Sequence, residues 1–195
     1  VDRSNKGHSV VAIDFSMVAD ANLTRTPGGA YLAADLGCIS CHDPHGQALQ
    51  AAHHHHIWHR GVTPGDVIVR EENSGYKATL IDFGRMEVDG RPSQSDPAKV
   101  PYLSPEQCRN EEVDGRSDVY SVGMLFYAMV TGSPPFTDPR PERVLQLHEE
   151  APRPKLPPEV PGDVQAIVSR MVSSDPADRP PVRAIVRALK QSQAA

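Results

Sequence analysis

The distribution of apolar and polar positions changes character near residue 47. Residues 1–46 show no sustained apolar period and are rich in Gly, Ala, Ser and Thr. They predict a loop-rich segment, with a short turn of helix at Tyr31–Leu36. From Gln47 onward the pattern becomes regular. Ala48, Leu49, Ala51 and Ala52 suit the end of a helix that passes into a loop at Ile57-Trp58. Val67-Ile68-Val69 and Ala78-Thr79-Leu80-Ile81 are short β-branched or aliphatic runs on either side of Glu71–Tyr76, and predict a two-stranded hairpin. Residues 85–103 lack periodicity and hold Gly, Pro and Ser, as a long surface loop does. Helices are predicted at about 105–110, 117–131, 140–149, 162–173 and 181–191. Pro134-Pro135 and the prolines from Pro152 to Pro158 separate them. The pattern predicts a mainly α fold: a helical body from residue 47 to 195 with one small β-hairpin, preceded by the loop-rich segment 1–46.

Composition narrows the function classes. The net charge of −5 leaves no basic footprint for nucleic acid or an anionic lipid surface. The longest apolar stretch, Val119 to Val130, is interrupted by Tyr120, Ser121 and Gly123 and is too short to span a bilayer. No signal peptide is visible, and a start at Val1 reads as a processed or excised piece. Three cysteines, Cys38, Cys41 and Cys108, make no disulfide framework.

Five landmarks follow in fixed order: His59-Arg60-Gly61, Asp82-Phe83-Gly84, Ser104-Pro105-Glu106, Asp118 within Arg-Ser-Asp-Val-Tyr-Ser, and Arg179 within Asp-Pro-Ala-Asp-Arg-Pro. Their spacing, with 22 residues from Asp82 to Ser104, 12 from Glu106 to Asp118 and 61 from Asp118 to Arg179, resembles the C-terminal lobe of a bacterial-type serine/threonine protein kinase. Phosphoryl transfer needs positioned phosphates, a divalent metal held by carboxylates, and an acceptor for the substrate hydroxyl proton. By this resemblance Asp82, with Phe83 and Gly84 behind it, is the metal-binding aspartate, and Asp66 stands where the second metal ligand, normally Asn, is found. Together they imply Mg·ATP as cofactor.

The same resemblance puts Gly61 at the position of the proton-accepting aspartate and Thr63 at that of the phosphate-steadying lysine. Lys99 falls where a threonine bonded to that aspartate is common. Glu106 and Arg179 match a buried ion pair, and Asp118 matches the aspartate that accepts from the catalytic-loop backbone beside His59 and Arg60. The resemblance covers residues 47–195 and begins at the helix before the catalytic loop, so the nucleotide-clamping lobe with its Gly-rich loop and lysine has no counterpart here. It implies a degenerate, catalytically impaired kinase-like domain acting at most as a regulatory or binding scaffold. A protein partner would sit on the surface that faces the small lobe in the family. Residual ATP-dependent kinase activity is the competing expectation. Arg60 raises the idea of a phosphate-read switch with Ser93 or Ser95 as acceptor, and solvated loop serines are the simpler reading.

Residues 1–46 carry a different text. Cys38-Ile39-Ser40-Cys41-His42 is a Cys-x-x-Cys-His unit, followed by Asp43-Pro44-His45-Gly46. With Gly7-His8-Ser9-Val10-Val11-Ala12 and Pro27-Gly28-Gly29, it resembles a module of multihaem c-type cytochromes. That resemblance implies covalent haem c on Cys38 and Cys41 and iron ligation by His42. His8 would be a distal ligand, or His8 or His45 would serve a neighbouring haem, giving an electron-transfer segment. Zinc on Cys38, Cys41, His42 and His45 is the rival metal reading, with a spacing compressed for a tetrahedral site. The run His53-His54-His55-His56 suggests a tag scar or, with Ile57 and His59, the native lead-in to the catalytic loop. The two resemblances point to different compartments, the cytoplasm for the kinase-like part and the periplasm for the haem motif. A truncated or chimeric chain is the expectation.

Overall fold

The computed structural model describes residues 13–17, 49, 52–72, 75–81 and 97–192. The fold is mainly α. Strand β1 (Ile13–Met17) and the hairpin β2 (Val67–Glu72) and β3 (Gly75–Leu80) form a small antiparallel sheet in the order β1-β3-β2. Among the described residues the sheet is followed by five helices with full bounds: α1 (Pro105–Cys108), α2 (Gly115–Thr131), α3 (Pro141–Glu150), α4 (Gly162–Met171) and α5 (Val182–Ser192).

All five predicted helices form, and their ends shift for local reasons. The second starts at Gly115 rather than 117 because the Asp114 carboxylate caps it, accepting from Arg116 N at 2.7 Å. It ends where Gly132 turns left-handed at φ 83° and its N–H closes onto the Ala128 carbonyl at 2.8 Å. Pro105 and Pro141 open α1 and α3 at first-turn positions, where a missing N–H costs nothing. The hairpin strands are longer than the apolar runs alone suggested, because Arg70, Glu71, Tyr76 and Lys77 continue the register.

Within the first 46 residues, whose pattern predicts mostly loop, only Ile13–Met17 are described, and they form a strand paired with β3, setting Ile13 opposite Leu80, Phe15 opposite Ala78 and Met17 opposite Tyr76. The alternation Ile-Asp-Phe-Ser-Met has the strand period of two, and β3 presents the backbone edge that completes it. The helical turn expected at Tyr31–Leu36 lies outside the described residues.

Helix α2 is the wall between two apolar clusters. Tyr120, Met124 and Leu125 face Val62, Leu80, Val100 and Leu103 on one side. Val119, Phe126 and Val130 face Val164, Ile167, Val168 and Met171 of α4 and Ile185 of α5 on the other. A helix apolar on every side belongs in the middle of a body. Gly123 permits the close approach of α4's end, since a Cβ there would come within 2.7 Å of Val172 Cγ1. No described helix is long and apolar enough to cross a membrane.

Candidate functional site

The site is built around one buried carboxylate. Asp118, fully buried in the first turn of α2, accepts from His59 N at 2.9 Å through Oδ2 and from Arg60 N at 2.7 Å through Oδ1. His53 Nε2–H donates to the same Oδ2 at 2.9 Å. Arg60 is held in the left-handed region at φ 66°, a conformation that costs a non-glycine residue about 1–3 kcal/mol. The loop tolerates it because Arg60 is gripped from both sides: its N–H goes to Asp118, and its carbonyl accepts from Gln107 Nε2 at 2.7 Å. Gln107 is itself fixed, with Oε1 accepting from Ser104 N at 3.0 Å and Ser104 Oγ at 3.1 Å.

The loop then runs through Gly61 to a single 3-10 turn at Pro64–Asp66. A Cβ built at Gly61 meets nothing within 4 Å, so a larger side chain would find open space there. Thr63 donates to Asp66 Oδ2 twice, from its N–H at 2.8 Å and its hydroxyl at 2.7 Å. Ile81 N donates to the Asp66 carbonyl at 2.8 Å, and His59 Nε2–H donates to the Ile81 carbonyl at 2.8 Å. The hairpin thus returns the chain to Asp66 one residue before Asp82.

A second buried assembly ties α1 to the far end of the helical body. Arg179 grips Glu106 with a two-pronged contact, Nη1 to Oε1 at 2.6 Å and Nη2 to Oε2 at 2.8 Å, both side chains almost wholly out of solvent. Its remaining donors reach the Ser173 carbonyl at 2.8 Å and the Arg116 carbonyl at 2.9 Å. Burial pushes the Glu106 carboxyl up, but the Arg179 and Ser117 hydrogen bonds and the guanidinium charge outweigh it and hold it below the usual carboxylate range.

Of the sequence-predicted residues, His59, Arg60, Gly61, Thr63 and Asp66 therefore lie on one loop anchored by Asp118, and Glu106 and Arg179 meet as expected. Lys99 is half-buried at the start of the 3-10 turn Val100–Tyr102 and accepts from Tyr102 N at 2.9 Å through its carbonyl. Asp82, Phe83, Gly84, Ser93 and Ser95 lie outside the described residues, as do His8, Cys38, Cys41, His42 and His45. Cys108 is a buried free thiol, pushed up to about 12 by burial. Sequence reasoning missed two members of the site. Gln107 directly follows the Ser-Pro-Glu landmark, and His53 was read only as part of the histidine run. The three residues after His53 are exposed while His53 is half-buried, so the run is one structural histidine followed by three surface ones.

Among the described residues no three His, Cys, Asp or Glu side chains gather in a way that could hold a metal ion. Asp66 is the one site carboxylate on the loop, and its Oδ2 already accepts twice from Thr63. Magnesium in phosphoryl-transfer sites is held by one or two carboxylates together with water and substrate phosphates. Of the two carboxylates that the resemblance assigns to it, Asp66 lies on this loop and Asp82 lies outside the described residues.

Residues 44–189 match the family description "Protein kinase domain". Serine/threonine-protein kinase PknB of Mycolicibacterium smegmatis is 42% identical over 108 residues, covering 52% of this chain and 17% of that protein. PknB of Mycobacterium leprae is 35% identical over 141 residues, 70% of this chain and 21% of the relative. A probable serine/threonine-protein kinase PknB of Corynebacterium glutamicum is 35% identical over 157 residues, 76% and 24% respectively. The chain thus spans about a fifth of the length of the curated relatives it matches.

Proposed function

This chain belongs to the protein kinase domain family, and we propose that it is a serine/threonine-kinase-type C-lobe that has kept the family's internal clamps and lost its proton acceptor, serving as a non-catalytic binding or regulatory scaffold. One observation carries the reading: at Gly61 the backbone is held on either side of an open space, and the residue present has no side chain to put there. A missing general base alone removes a factor of about 10² to 10⁴. Thr63, where the resemblance puts a lysine, spends its donors on Asp66 rather than presenting a cation to a phosphate. Positioning and electrostatic stabilisation supply nearly all of phosphoryl-transfer catalysis, so losing both leaves little rate.

A scaffold needs a partner face, and the surface turned toward the small lobe in the family is the place for it. Ile68 of β2 is one of two large apolar residues that stand exposed among the described residues, the other being Ile57.

The test is transfer of the γ-phosphate of Mg·ATP to a generic Ser/Thr substrate by the purified chain, run beside a thermal melt with and without Mg·ATP. Transfer at background, with a cooperative melt unmoved by nucleotide, is the expected result. Transfer that disappears in Asp82→Ala would overturn the proposal and make the chain a working kinase. A melt raised by nucleotide without transfer would keep the scaffold and add nucleotide as its ligand, since a ligand that binds only the folded state must stabilise it.

A further inference from the structure

Behind the anchored loop lies a cleft of about 540 Å³ whose walls are the immediate chain neighbours of the landmark residues. Trp58 precedes His59, Gly115 and Arg116 sit one turn before Val119 beside Asp118, and Pro180 follows Arg179. The floor is apolar: half-buried Trp58 with buried Val119 and Pro180, continued by Val182. Trp58 stands edge-on to His53 at 5.1 Å and to His56 at 5.7 Å between ring centroids. Gly115 is required here, because a Cβ would come within 2.6 Å of the His53 ring. His56 is held left-handed at φ 56°, a strained conformation that sets its ring on this side of the loop.

The rim holds two guanidiniums against one carboxylate. Arg116, Arg183 and His56 are exposed around the floor, and Asp114 is the one acidic residue lining the cleft. Its carboxylate is already taken by Arg116, with Nη2 to Oδ2 at 2.7 Å and Nε to Oδ2 at 2.9 Å. Arg183 has no acidic partner among the described residues. With Arg116 balanced by Asp114, Arg183 leaves one unpaired positive charge beside an aromatic and proline floor, on a chain of net charge −5. Complementary charge at a rim selects partners and steers their approach, while the apolar floor supplies the anchor.

We propose that this cleft docks a short acidic segment of a partner protein, seating one aromatic or branched side chain against Trp58 and Pro180 and setting carboxylates toward Arg183 and the rim histidine. The volume suits one large side chain with its flanking backbone. The site also bears on the loop, because His53 forms a wall of the cleft and donates to the Asp118 carboxylate that holds His59 and Arg60. Docking does not depend on whether Gly61 supports catalysis.

Trp58 is the sole tryptophan of the chain, so its emission reports on this cleft directly. A tryptophan-free random-peptide display library is selected on the purified chain, and the selected peptides are synthesised and titrated against Trp58 emission. The expected result is a set of binders with acids flanking one aromatic or branched residue, each giving a saturable emission change. Affinity should fall at least about tenfold in Arg183→Glu. Arg183 is exposed in the first turn of α5, where a carboxylate is favoured by the helix N-terminus, so this variant is expected to fold. If its melt shows otherwise, the wild-type titration at about 0.05 M against about 0.5 M salt takes its place, with a comparable loss expected. No selected binders, binders without acidic residues, binders that leave Trp58 emission unmoved, or binding insensitive to both Arg183→Glu and salt would each overturn the proposal.

Discussion

The buried assembly around Arg179 and the loop around Gly61 hold their residues through different atoms. At Glu106 and Arg179 every charged atom has a partner inside the protein, and the side chains themselves are the contact. At the loop the protein holds His59 and Arg60 by their backbone N–H groups, and Gly61, which follows them, brings no side chain to the hydrogen-bond network. The difference teaches that the fold's requirements and the chemistry's requirements fall on different atoms. A residue whose side chain sits in the network cannot be lost without stranding a buried charge. One held through its main chain can lose its side chain and keep its place.

The comparison breaks most visibly at the ion pair. Arg179→Met should cost roughly 3–5 kcal/mol, because it leaves the Glu106 carboxylate buried and unpaired. Urea denaturation followed by circular dichroism measures it. The depressed Glu106 titration gives the wild type stability that is present above the ordinary glutamate value and lost as pH falls through the lower folded one. Arg179→Met should remove that acid-side component as well.

A smaller effect is expected at His148 on α3. It donates from Nε2 to the Val100 carbonyl at 3.0 Å and accepts at Nδ1 from the Tyr120 hydroxyl at 2.9 Å, so its neutral form is the one that fits. Burial pulls it down from 6.5 to about 4. The unfolded chain therefore binds the proton first as pH falls, and stability should drop between pH 6.5 and 4 by about 3 kcal/mol and then level off from this source. Equilibrium unfolding across that window checks it, and His148→Gln should flatten the slope.

The smallest effect is expected at Gly61→Asp, which supplies the residue type that the kinase resemblance puts at this position. Gly61 is not among the described glycines with positive φ, and nothing lies within 4 Å of its Cβ position. Stability should change by less than about 0.5 kcal/mol, with a slight gain from the stiffer unfolded chain. A loss comparable to that of Arg179→Met would show that the loop depends on its side chains after all and would erase the contrast.

Much of this was legible in the chain. The helices announced themselves through apolar period and proline punctuation, and Glu106, Asp118 and Arg179 through their spacing. Three things were not. β1 is five residues in a segment of loop composition, and only the free edge of β3 makes a strand of it. Gln107 works through a hydrogen bond to a residue 47 positions away, which no local pattern encodes. His53 was hidden among identical neighbours, and burial against Gly115 and Asp118 distinguishes it from them.

The place of α2 between the two apolar clusters has a consequence for how the protein comes apart. Tyr120, Met124 and Leu125 close one cluster while Val119, Phe126 and Val130 close the other, and both sets stand on the same hydrogen-bonded rod. Neither cluster can open without taking away the other's wall. Local opening that spares half of the helical body is therefore disfavoured, and amide exchange in α2 and α4 should converge on one slow, shared rate, the signature of a single cooperative unit.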